Sequence, residues 1–503
     1  MLKVSPLFTD RAVLCRGKEI RIFGQAKAGA AVRVELISRE GRRLADAECD
    51  VEADGSFMAY LAPQRAQTGC MLTLTDGTDT VISREVAIGD VYLAGGQSNM
   101  EWMLQNAQEG PAEMAGHDDP DLRFFNIPKR AYFCEEQQEA VDRTRWEAIA
   151  PGKGGENSAV AYFFARALRG RHPDIPTGII GCYWGGTSIT CWIQEEALRR
   201  TAEGAAYLDR DEKAAGQKDM ATYLKEEKVF QDTLDAWNGE VDAYRRSHPG
   251  APWKEIEGAC GPCPWFPPVG PGSPYRPAGL AETMLSQAVP VTLTGILWYQ
   301  GESDADQTEH YDELMLTLIR TWRARFRDAE LPFLFVQLPR FLGWDAEDTF
   351  RWPALRLAQA AARDAARNSG MICLLDEGEY GNLHPTAKRV VGERLHELAE
   401  KMIYGEAGRV SPRATGKRTE GGNLTVTLSE PVRVKEVGRP ALMEIAGADG
   451  RFMPAWAVVS GRELRLWHPG VPHPVQARYA WTDYSDQVNV FGENGMPLEP
   501  FWL

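Results

Sequence analysis

The chain has 503 residues and a formal net charge of −15. This charge excludes the broad basic surface that a nucleic-acid-binding protein needs. No stretch approaches the roughly 20 apolar residues of a membrane-spanning helix. The first residues also lack the apolar segment of a signal peptide, so we expect a cytoplasmic protein with neither a membrane nor a nucleic-acid partner.

The pattern of hydrophobic residues and turns changes along the chain and predicts three domains. Residues 1–88 carry short alternating segments separated by turns, which predict an N-terminal β-sandwich-like domain. Between residues 89 and 405, strand-like and helical segments alternate, which is typical of an α/β domain with a parallel sheet covered on both faces. Within it, residues 200–290 form a polar, helical and Pro-rich insertion, a candidate lid. Alternating segments return over residues 406–503 and predict a C-terminal β domain.

In the α/β region, the hydrophobic pattern predicts individual elements. The predicted strands are 91–94, 177–182, 294–300, 332–338 and 371–375. The predicted helices include 311–325, 354–367 and 385–403.

Residues 95–102 have the sequence GGQSNMEW and follow an apolar, strand-like run. The two glycines let the backbone turn sharply, so Ser98 is expected where a strand ends and a helical segment at 101–105 begins. N–H groups at a helix start favour a developing negative charge, which suits a nucleophile. A serine and an asparagine that cap a helix after a glycine turn would give the same pattern. The local sequence leaves both interpretations open.

Further polar blocks follow other predicted strands, at Trp184–Thr187, at Gln300–Glu302 and at His384. The carboxyl ends of parallel strands share one edge of a sheet, where the working sites of such sheets lie. Of the eight histidines, His384 is the one that occupies a strand-end loop, and Pro385 suits the first position of the helix predicted to follow. A serine nucleophile needs a base within hydrogen-bonding distance, which makes His384 the candidate base.

Five blocks in order carry a resemblance to one known family. They are GQSNMEW from Gly96, SAVAYFFA from Ser158, WGGT from Trp184 with Trp192, WYQGES from Trp298, and HP at His384 with Lys388. The C-terminal stretch from Arg478 to Phe501 is similar as well. Over nearly the whole chain, the sequence resembles the sialate O-acetylesterase-like branch of the SGNH (GDSL-type) hydrolases. The resemblance implies a three-layer, flavodoxin-like α/β fold flanked by β domains, and a serine esterase that needs no metal or cofactor.

The resemblance also implies roles for individual residues. Ser98 would be the nucleophile and His384 the general base. The backbone N–H groups of Ser98 and Gly186 and the side-chain amide of Gln300 would form the oxyanion hole. Gly186 allows a ligand to approach the backbone, and a glutamine amide donates without acting as a charged base. A plain turn at Gly186 and a strand-end hydrogen bond at Gln300 are the alternatives.

The acid that should orient the histidine departs from the family pattern. The family has an aspartate three or two residues before the histidine, and this chain has Gly381 and Asn382 at those positions. Asn382 or Asp376 is the predicted orienting group, with Glu377, Glu379 or a backbone carbonyl as alternatives. The departure leaves the orienting group open rather than the reaction class.

Aromatic side chains crowd the same blocks, at Trp102, Trp184, Trp192, Trp298 and Tyr299. Their flat rings suit the apolar faces of sugars, and burial in the core is equally compatible. Trp184 and Trp298, together with Glu302, are the predicted substrate-binding residues. A retaining glycosidase would need a second carboxylate near Glu302, and the sequence offers no second acidic block for it.

The nine cysteines include the motif Cys260-Gly-Pro-Cys263. It lies in a loop rich in Pro and Gly without a preceding strand, which does not suit a thioredoxin-like redox pair. It also offers two of the four ligands of a structural zinc site.

We therefore interpret the chain as a carbohydrate O-acetylesterase that acts on an O-acetylated sugar through an acetyl-Ser98 intermediate. O-acetylated sialic acid and an acetylated oligosaccharide of xylan or mannan type both fit. A catalytically silent carbohydrate-binding protein is the alternative from another class. The oligomeric state stays open, a homo-oligomer included.

Overall fold

The computed structural model describes residues 1–248, 251–343, 346–435 and 438–503. It is an α/β structure with a central mixed sheet and additional β sheets toward the C-terminus. Strands β1–β7 are Lys3–Val4, Val13–Cys15, Ile20–Gln25, Ala31–Ile37, Arg43–Asp50, Ser56–Leu61 and Gln67–Thr75. Strands β8–β14 are Thr80–Gly96, Asp119–Asn126, Glu147–Ile149, Thr177–Tyr183, Gly295–Tyr299, Phe333–Val336 and Ser369–Ile372.

Strands β15–β24 are Ala414–Glu420, Asn423–Leu428, Val432–Val434, Met443–Ala446, Phe452–Pro454, Trp456–Ser460, Glu463–Trp467, Gln476–Tyr479, Val490–Gly492 and Phe501–Trp502. Helices α1–α6 are Ser98–Glu101, Gly110–Gly116, Glu135–Arg143, Ala159–Arg171, Glu195–Leu198 and Ala202–Ala215. Helices α7–α12 are Met220–Ser247, Trp253–Cys260, Gly279–Thr283, Tyr311–Arg325, Arg351–Ala365 and Arg389–Ala399.

Strand β8 is the central strand of the α/β region. Its first residues mix exposed and buried positions, whereas every residue from Val86 to Gly96 is buried. A continuous buried run is typical of a strand that is covered on both faces. The strand passes through residues 88 and 89, where the sequence pattern placed the first domain boundary. The division into three domains stays a prediction.

The order of strands in the α/β region is β10-β9-β11-β8-β12-β13-β14. Neighbouring strands from β9 to β14 run parallel, whereas β10 pairs antiparallel with β9 at the edge. Strand β8 also pairs with β2 and β7, which extends the sheet into the N-terminal region. The sheet is thus mixed, whereas the sequence predicted a parallel sheet. The edge strand β10 is partly exposed, and strands that are not covered on both faces commonly pair antiparallel.

Helices cover the two faces of this sheet. Tyr92 of β8 meets Phe164 of α4 with ring centroids 4.8 Å apart. Trp298 of β12 meets Trp322 of α10 with ring centroids 5.3 Å apart. Trp298 pairs in register with Gly95, three residues after Tyr92, so the two aromatic contacts lie on opposite faces of the sheet. The α/β region therefore has three layers.

The C-terminal strands form two four-stranded sheets, β15-β16-β21-β20 and β19-β18-β22-β24, and one two-stranded sheet, β17-β23. The apolar core that they share includes Cys373 and Leu375, which follow β14 directly. The C-terminal sheets thereby fix the start of the loop that carries His384.

Between β11 and β12 the chain forms the helices α6, α7 and α8 and then a Pro-rich loop. Helix α7 buries only Tyr223 and Val241 of its 28 residues, so most of its surface faces solvent. Within the ranges given above, α7 included, no helix is both long and apolar enough to cross a membrane.

Gly96 generates the first testable prediction. Its φ is 139°, and a Cβ atom there would lie 2.1 Å from the carbonyl oxygen of Tyr299. We expect Gly96→Ala to destabilise the fold by about 3 kcal/mol or more, because both backbone strain and a steric clash oppose the methyl group. Gly170→Ala is the matched control, because its Cβ would meet no atom within 4 Å on the exposed face of α4. It should gain up to about 1 kcal/mol. Urea denaturation followed by fluorescence measures both, and equal midpoints for the two variants would contradict the close approach at Gly96.

Candidate active site

The carboxyl ends of β11, β8 and β12 lie level with one another. Gly96 pairs in register with Tyr183 on one side and with Tyr299 on the other. The Gln97 N–H donates to the Tyr299 carbonyl oxygen at 3.1 Å, and the Gln97 side chain accepts from the N–H groups of Gly301 and Ser303. These bonds hold the turn before Ser98 rigidly against the loop after β12.

Ser98 is the first residue of the short helix α1. Its Oγ lies 2.8 Å from Nε2 of His384, a hydrogen-bonding distance between residues 286 positions apart. The His384 ring stacks on Trp102 with centroids 5.4 Å apart and an angle of 19° between the planes. A hydroxyl, an imidazole and a flat support for the imidazole are therefore assembled at one strand end.

His384 lies in a loop rather than directly before a helix. The expected helix from Pro385 is wrong, because α12 begins at Arg389. The Glu379 carboxylate accepts hydrogen bonds from the Thr386 N–H and hydroxyl, which holds residues 379–386 in a turn. Asn382 donates to the same carboxylate at 2.7 Å and accepts from the backbone N–H of His384 at 3.0 Å.

The structure places the predicted orienting groups away from the His384 ring. Both carboxylate oxygens of Asp376 accept from Arg394 at 2.7 Å. Asn382 contacts the backbone of His384 and not its imidazole. In the described part of the chain, the His384 ring forms a side-chain hydrogen bond with Ser98 alone. The geometry in this structure is therefore that of a Ser–His dyad.

A buried polar chain that the sequence reasoning missed supports the catalytic loop. Lys388, only 1% exposed, donates through Nζ to Oδ1 of Asn99. Asn99 in turn donates to a Glu302 carboxylate oxygen and, at 3.0 Å, to the carbonyl oxygen of Leu383. The residue after Ser98 is thus bonded to the residue before His384. The pattern of Asn next to Ser98 and Lys four residues after His384 was the available signal, and the helix-cap interpretation masked it.

Burial dominates the electrostatics of these groups. Burial lowers the pKa of His384 to about 4, and the charge of Lys388 acts in the same direction. Burial also lowers the pKa of Lys388 to about 7, against the opposing influence of Glu302 and Glu379. Burial raises the pKa of Glu302, although its hydrogen bond from Asn99 opposes the shift. At neutral pH the imidazole is therefore uncharged and can accept a proton.

Two of the three predicted oxyanion donors, the backbone N–H groups of Ser98 and Gly186, lie close together and are not used within the described residues. A Cβ atom at Gly185 would lie 3.2 Å from Cβ of Ser98, so the Gly185–Gly186 turn borders the nucleophile. The N–H of Gly185 donates to Glu101 at 2.7 Å. The N–H groups of Ser98 and Gly186 have no acceptor among the described residues, and Gly186 has the φ of 77° that glycine tolerates.

Gln300 does not serve as the third donor in this arrangement. Its side chain is fully buried, and its amide donates to the Thr187 carbonyl oxygen and to Asp304. Tyr311 donates to the amide oxygen at 2.9 Å. Both amide hydrogens are thus used inside the protein, where they join the two loops that flank Ser98. The alternative of a strand-end hydrogen bond describes Gln300 better than the oxyanion role.

The predicted substrate-binding residues separate into surface and core positions. Trp184 is half-buried, and Lys129 Nζ lies 5.0 Å from its ring centroid. Trp298 is 1% exposed and packs among Trp192 and Trp322, so the structure corrects its predicted sugar-binding role to a core role. The carboxylate of Glu302 is buried and accepts a hydrogen bond from Asn99, so in this structure it is not turned toward a substrate.

Cys260 is the last residue of α8 and does not begin a helix as a thioredoxin-like cysteine would. Cys260 and Cys263 are both free thiols. Across the described ranges, no group of three or more His, Cys, Asp and Glu side chains is placed to hold a metal ion.

Comparisons with known proteins find similar carbohydrate esterases. The sequence model of the family described as "Carbohydrate esterase, sialic acid-specific acetylesterase" matches residues 273–401. The chain is 26% identical to the sialate O-acetylesterase of Mus musculus, over 95% of this chain and 90% of that protein. It is 25% identical to the sialate O-acetylesterase of Homo sapiens, over 95% of this chain and 88% of that protein. The crystal structure of a carbohydrate acetylesterase from Xanthomonas citri superposes with a TM-score of 0.77 and 28% identity, covering 100% of this chain and 99% of that one.

These similarities identify the chain as a carbohydrate esterase that is similar to the sialate O-acetylesterases over nearly its whole length. The resemblance noted from the five sequence blocks is thereby confirmed. The segment matched by the family model contains His384 but not Ser98.

The pKa of His384 generates the second prediction. The imidazole must be neutral to accept a proton, so kcat/KM for a soluble acetyl ester should stay constant as the pH falls through 6.5 and should halve only near pH 4. The unfolded chain binds this proton more tightly than the folded protein, so stability should also decrease as the pH falls from 6.5 toward 4. A pH–rate profile measures the first effect, with circular dichroism at each pH as the folding control. A midpoint near 6.5 in the folded enzyme would contradict the buried environment of His384.

Proposed function

We propose that this chain is a serine carbohydrate O-acetylesterase with an SGNH-type catalytic region. The distance of 2.8 Å between Ser98 Oγ and His384 Nε2, at the carboxyl edge of the sheet, is the observation that carries the proposal. Neutral His384 supports its use as a base. The unpaired N–H groups of Ser98 and Gly186 support an oxyanion hole beside the nucleophile.

In the acylation step, His384 Nε2 takes the hydroxyl proton as Ser98 Oγ attacks the acetyl carbonyl carbon. The two backbone N–H groups stabilise the negative charge on the carbonyl oxygen of the tetrahedral intermediate. The C–O bond to the sugar then breaks, and the imidazolium returns the proton to the departing sugar oxygen. The products of this step are the free sugar hydroxyl and acetyl-Ser98.

In the deacylation step, His384 removes a proton from a water molecule that attacks the acetyl carbon. The second tetrahedral intermediate collapses to acetate, and the proton returns to Ser98 Oγ. No carboxylate of the described residues is bonded to the His384 ring. The ring is instead oriented by stacking on Trp102 and by the bonds of Asn382 and Asn99 to the loop backbone. We propose these contacts as the orienting device in place of an acid.

The substrate class is an O-acetylated carbohydrate. The names of the curated relatives favour O-acetylated sialic acid. The chain is also similar over its whole length to a carbohydrate acetylesterase from Xanthomonas citri. This similarity is equally compatible with an acetylated oligosaccharide of xylan or mannan type as the substrate. The catalytic pair acts on the acetyl group and does not depend on which sugar carries it.

The third prediction tests the nucleophile. Ser98→Ala should lower acetate release from p-nitrophenyl acetate and from acetylated sugars by about 10⁴-fold or more, because the remaining groups cannot form the acyl-enzyme. Ser286→Ala, on a short helix away from the site, is the matched control and should keep wild-type activity. Mass spectrometry of rapidly quenched wild-type enzyme should find an acetyl group on the peptide that contains Ser98. Equal rates for the Ser98 and Ser286 variants would refute the mechanism.

A catalytically silent carbohydrate-binding protein is the second candidate, favoured by the lack of a carboxylate beside the His384 ring. The same measurement separates the two functions. Absence of acetate release by wild-type enzyme on every acetylated sugar, with retained sugar binding, would favour the silent protein.

The fourth prediction concerns the orienting group. Asn382→Ala should lower kcat by about 10- to 100-fold, because the loop loses its bonds to the His384 N–H and to Glu379. Asp376→Asn should change kcat by less than about tenfold and should lower the melting temperature, because Arg394 loses its bidentate carboxylate and keeps only the longer contact of 3.6 Å with Glu377. Steady-state kinetics below the melting temperature of each variant measure the difference. A larger kcat loss in Asp376→Asn than in Asn382→Ala would identify Asp376 as the orienting acid.

A further inference from the structure

The Pro-rich loop that follows α8 reaches the candidate oxyanion hole. A Cβ atom at Gly186 would lie 2.5 Å from Cζ2 of Trp265, so the edge of the Trp265 indole touches the Gly186 backbone. Gly186 follows Gly185, which borders Ser98. Trp265 thus contacts the same two-glycine turn that borders Ser98.

Trp265 is presented to solvent from a well-supported position. Its side chain is 43% exposed, and its ring meets Phe230 of α7 and Tyr275 edge-on at 5.9 Å and 5.7 Å. Its neighbour Phe266 is 85% exposed. Trp265 and Phe266 therefore expose apolar surface near Ser98. A substrate longer than one sugar would contact this surface.

Contacts at both ends of the loop fix it in place. Trp237 of α7 donates to the Gly261 carbonyl oxygen at 3.1 Å. Lys218 donates to the Val269 carbonyl oxygen at 2.7 Å, and the Cys191 thiol donates to the Tyr275 carbonyl oxygen at 3.3 Å. A platform held in this way needs little ordering when a ligand binds.

The two lysines beside Trp184 and Asn99 are already paired. Lys129, which lies over Trp184, is already paired with Glu101 at 2.5 Å. Lys388 is buried and bound to Asn99. Neither lysine is therefore free to bind a carboxylate on the sugar. The net charge of −15 does not attract an anion either.

We propose that Trp265 forms a sugar-binding subsite next to the acetylated residue, and that the substrate is a neutral acetylated oligosaccharide rather than a free sialic acid. The proposal rests on the esterase function proposed above. The apolar face of a second pyranose ring stacks on the indole, which places the acetyl group of the first ring at Ser98. The insertion between β11 and β12 is then the part of the chain that selects the length of the substrate.

The experiment compares kcat/KM for acetate release from O-acetylated xylo- and manno-oligosaccharides of one to four sugars and from 9-O-acetylated sialic acid. We expect the wild-type kcat/KM to rise about tenfold from the monosaccharide to the trisaccharide of one series. Trp265→Ala should lose this gain, and Trp265→Phe should keep part of it, because a smaller ring still stacks. Trp456→Ala is the matched control, because Trp456 is 44% exposed on a strand of the C-terminal sheets, and it should keep the full gain.

The outcomes distinguish this proposal from the function on which it rests. A wild-type enzyme without a chain-length gain, or a Trp265→Ala variant that keeps it, would overturn the subsite. A higher wild-type kcat/KM on acetylated sialic acid than on every oligosaccharide would overturn the neutral substrate class. Failure of the esterase function itself would appear as no acetate release from any substrate, or as release that Ser98→Ala does not change.

Discussion

The approach of two main chains at Gly96 is the constraint on which the site depends. Strand β8 meets β12 there with no room for a side chain, and the Gln97 N–H bonds to the Tyr299 carbonyl oxygen. The same residue pairs with Tyr183 of β11. Because three strand ends are level at this point, the loops that follow them carry Ser98, Gly186 and Gln300 to one place.

Buried polar groups next to this junction hold the loop that carries His384. Lys388, Asn99 and Glu302 form a chain that ends on the Leu383 carbonyl oxygen. Burying charged groups costs free energy unless their hydrogen bonds are satisfied. Asn99 bonds to both Lys388 and Glu302, whereas the second carboxylate oxygen of Glu302 is buried without a partner among the described residues. The histidine is therefore positioned through its backbone, by amides, where an acid bonded to its ring would otherwise act.

Regions distant in sequence contact the loops around Ser98 and His384. The insertion after β11 brings Trp265 to the oxyanion turn. The C-terminal region contributes Asp483, whose carboxylate accepts from the N–H groups of Thr349 and Trp352 and whose backbone accepts from Arg356. The Arg340 N–H in turn bonds to the Glu377 carbonyl oxygen at the start of the histidine loop. The α/β sheet positions Ser98 and His384, while the regions around it contact the loops that carry them.

The sequence by itself determined the local features. Helix α10 begins and ends where its apolar period predicted, and Ser98 follows a glycine turn at a strand end because small residues and a buried run encode that turn locally. Sequence reasoning placed Gln300 and Trp298 toward the substrate, and tertiary packing turned both inward, onto Asp304 and onto Trp322. It also placed a helix start at Pro385, where bonds from Glu379 hold a turn instead. Local pattern encodes turns and periods, but the direction in which a side chain points depends on partners that only the folded chain brings within bonding distance.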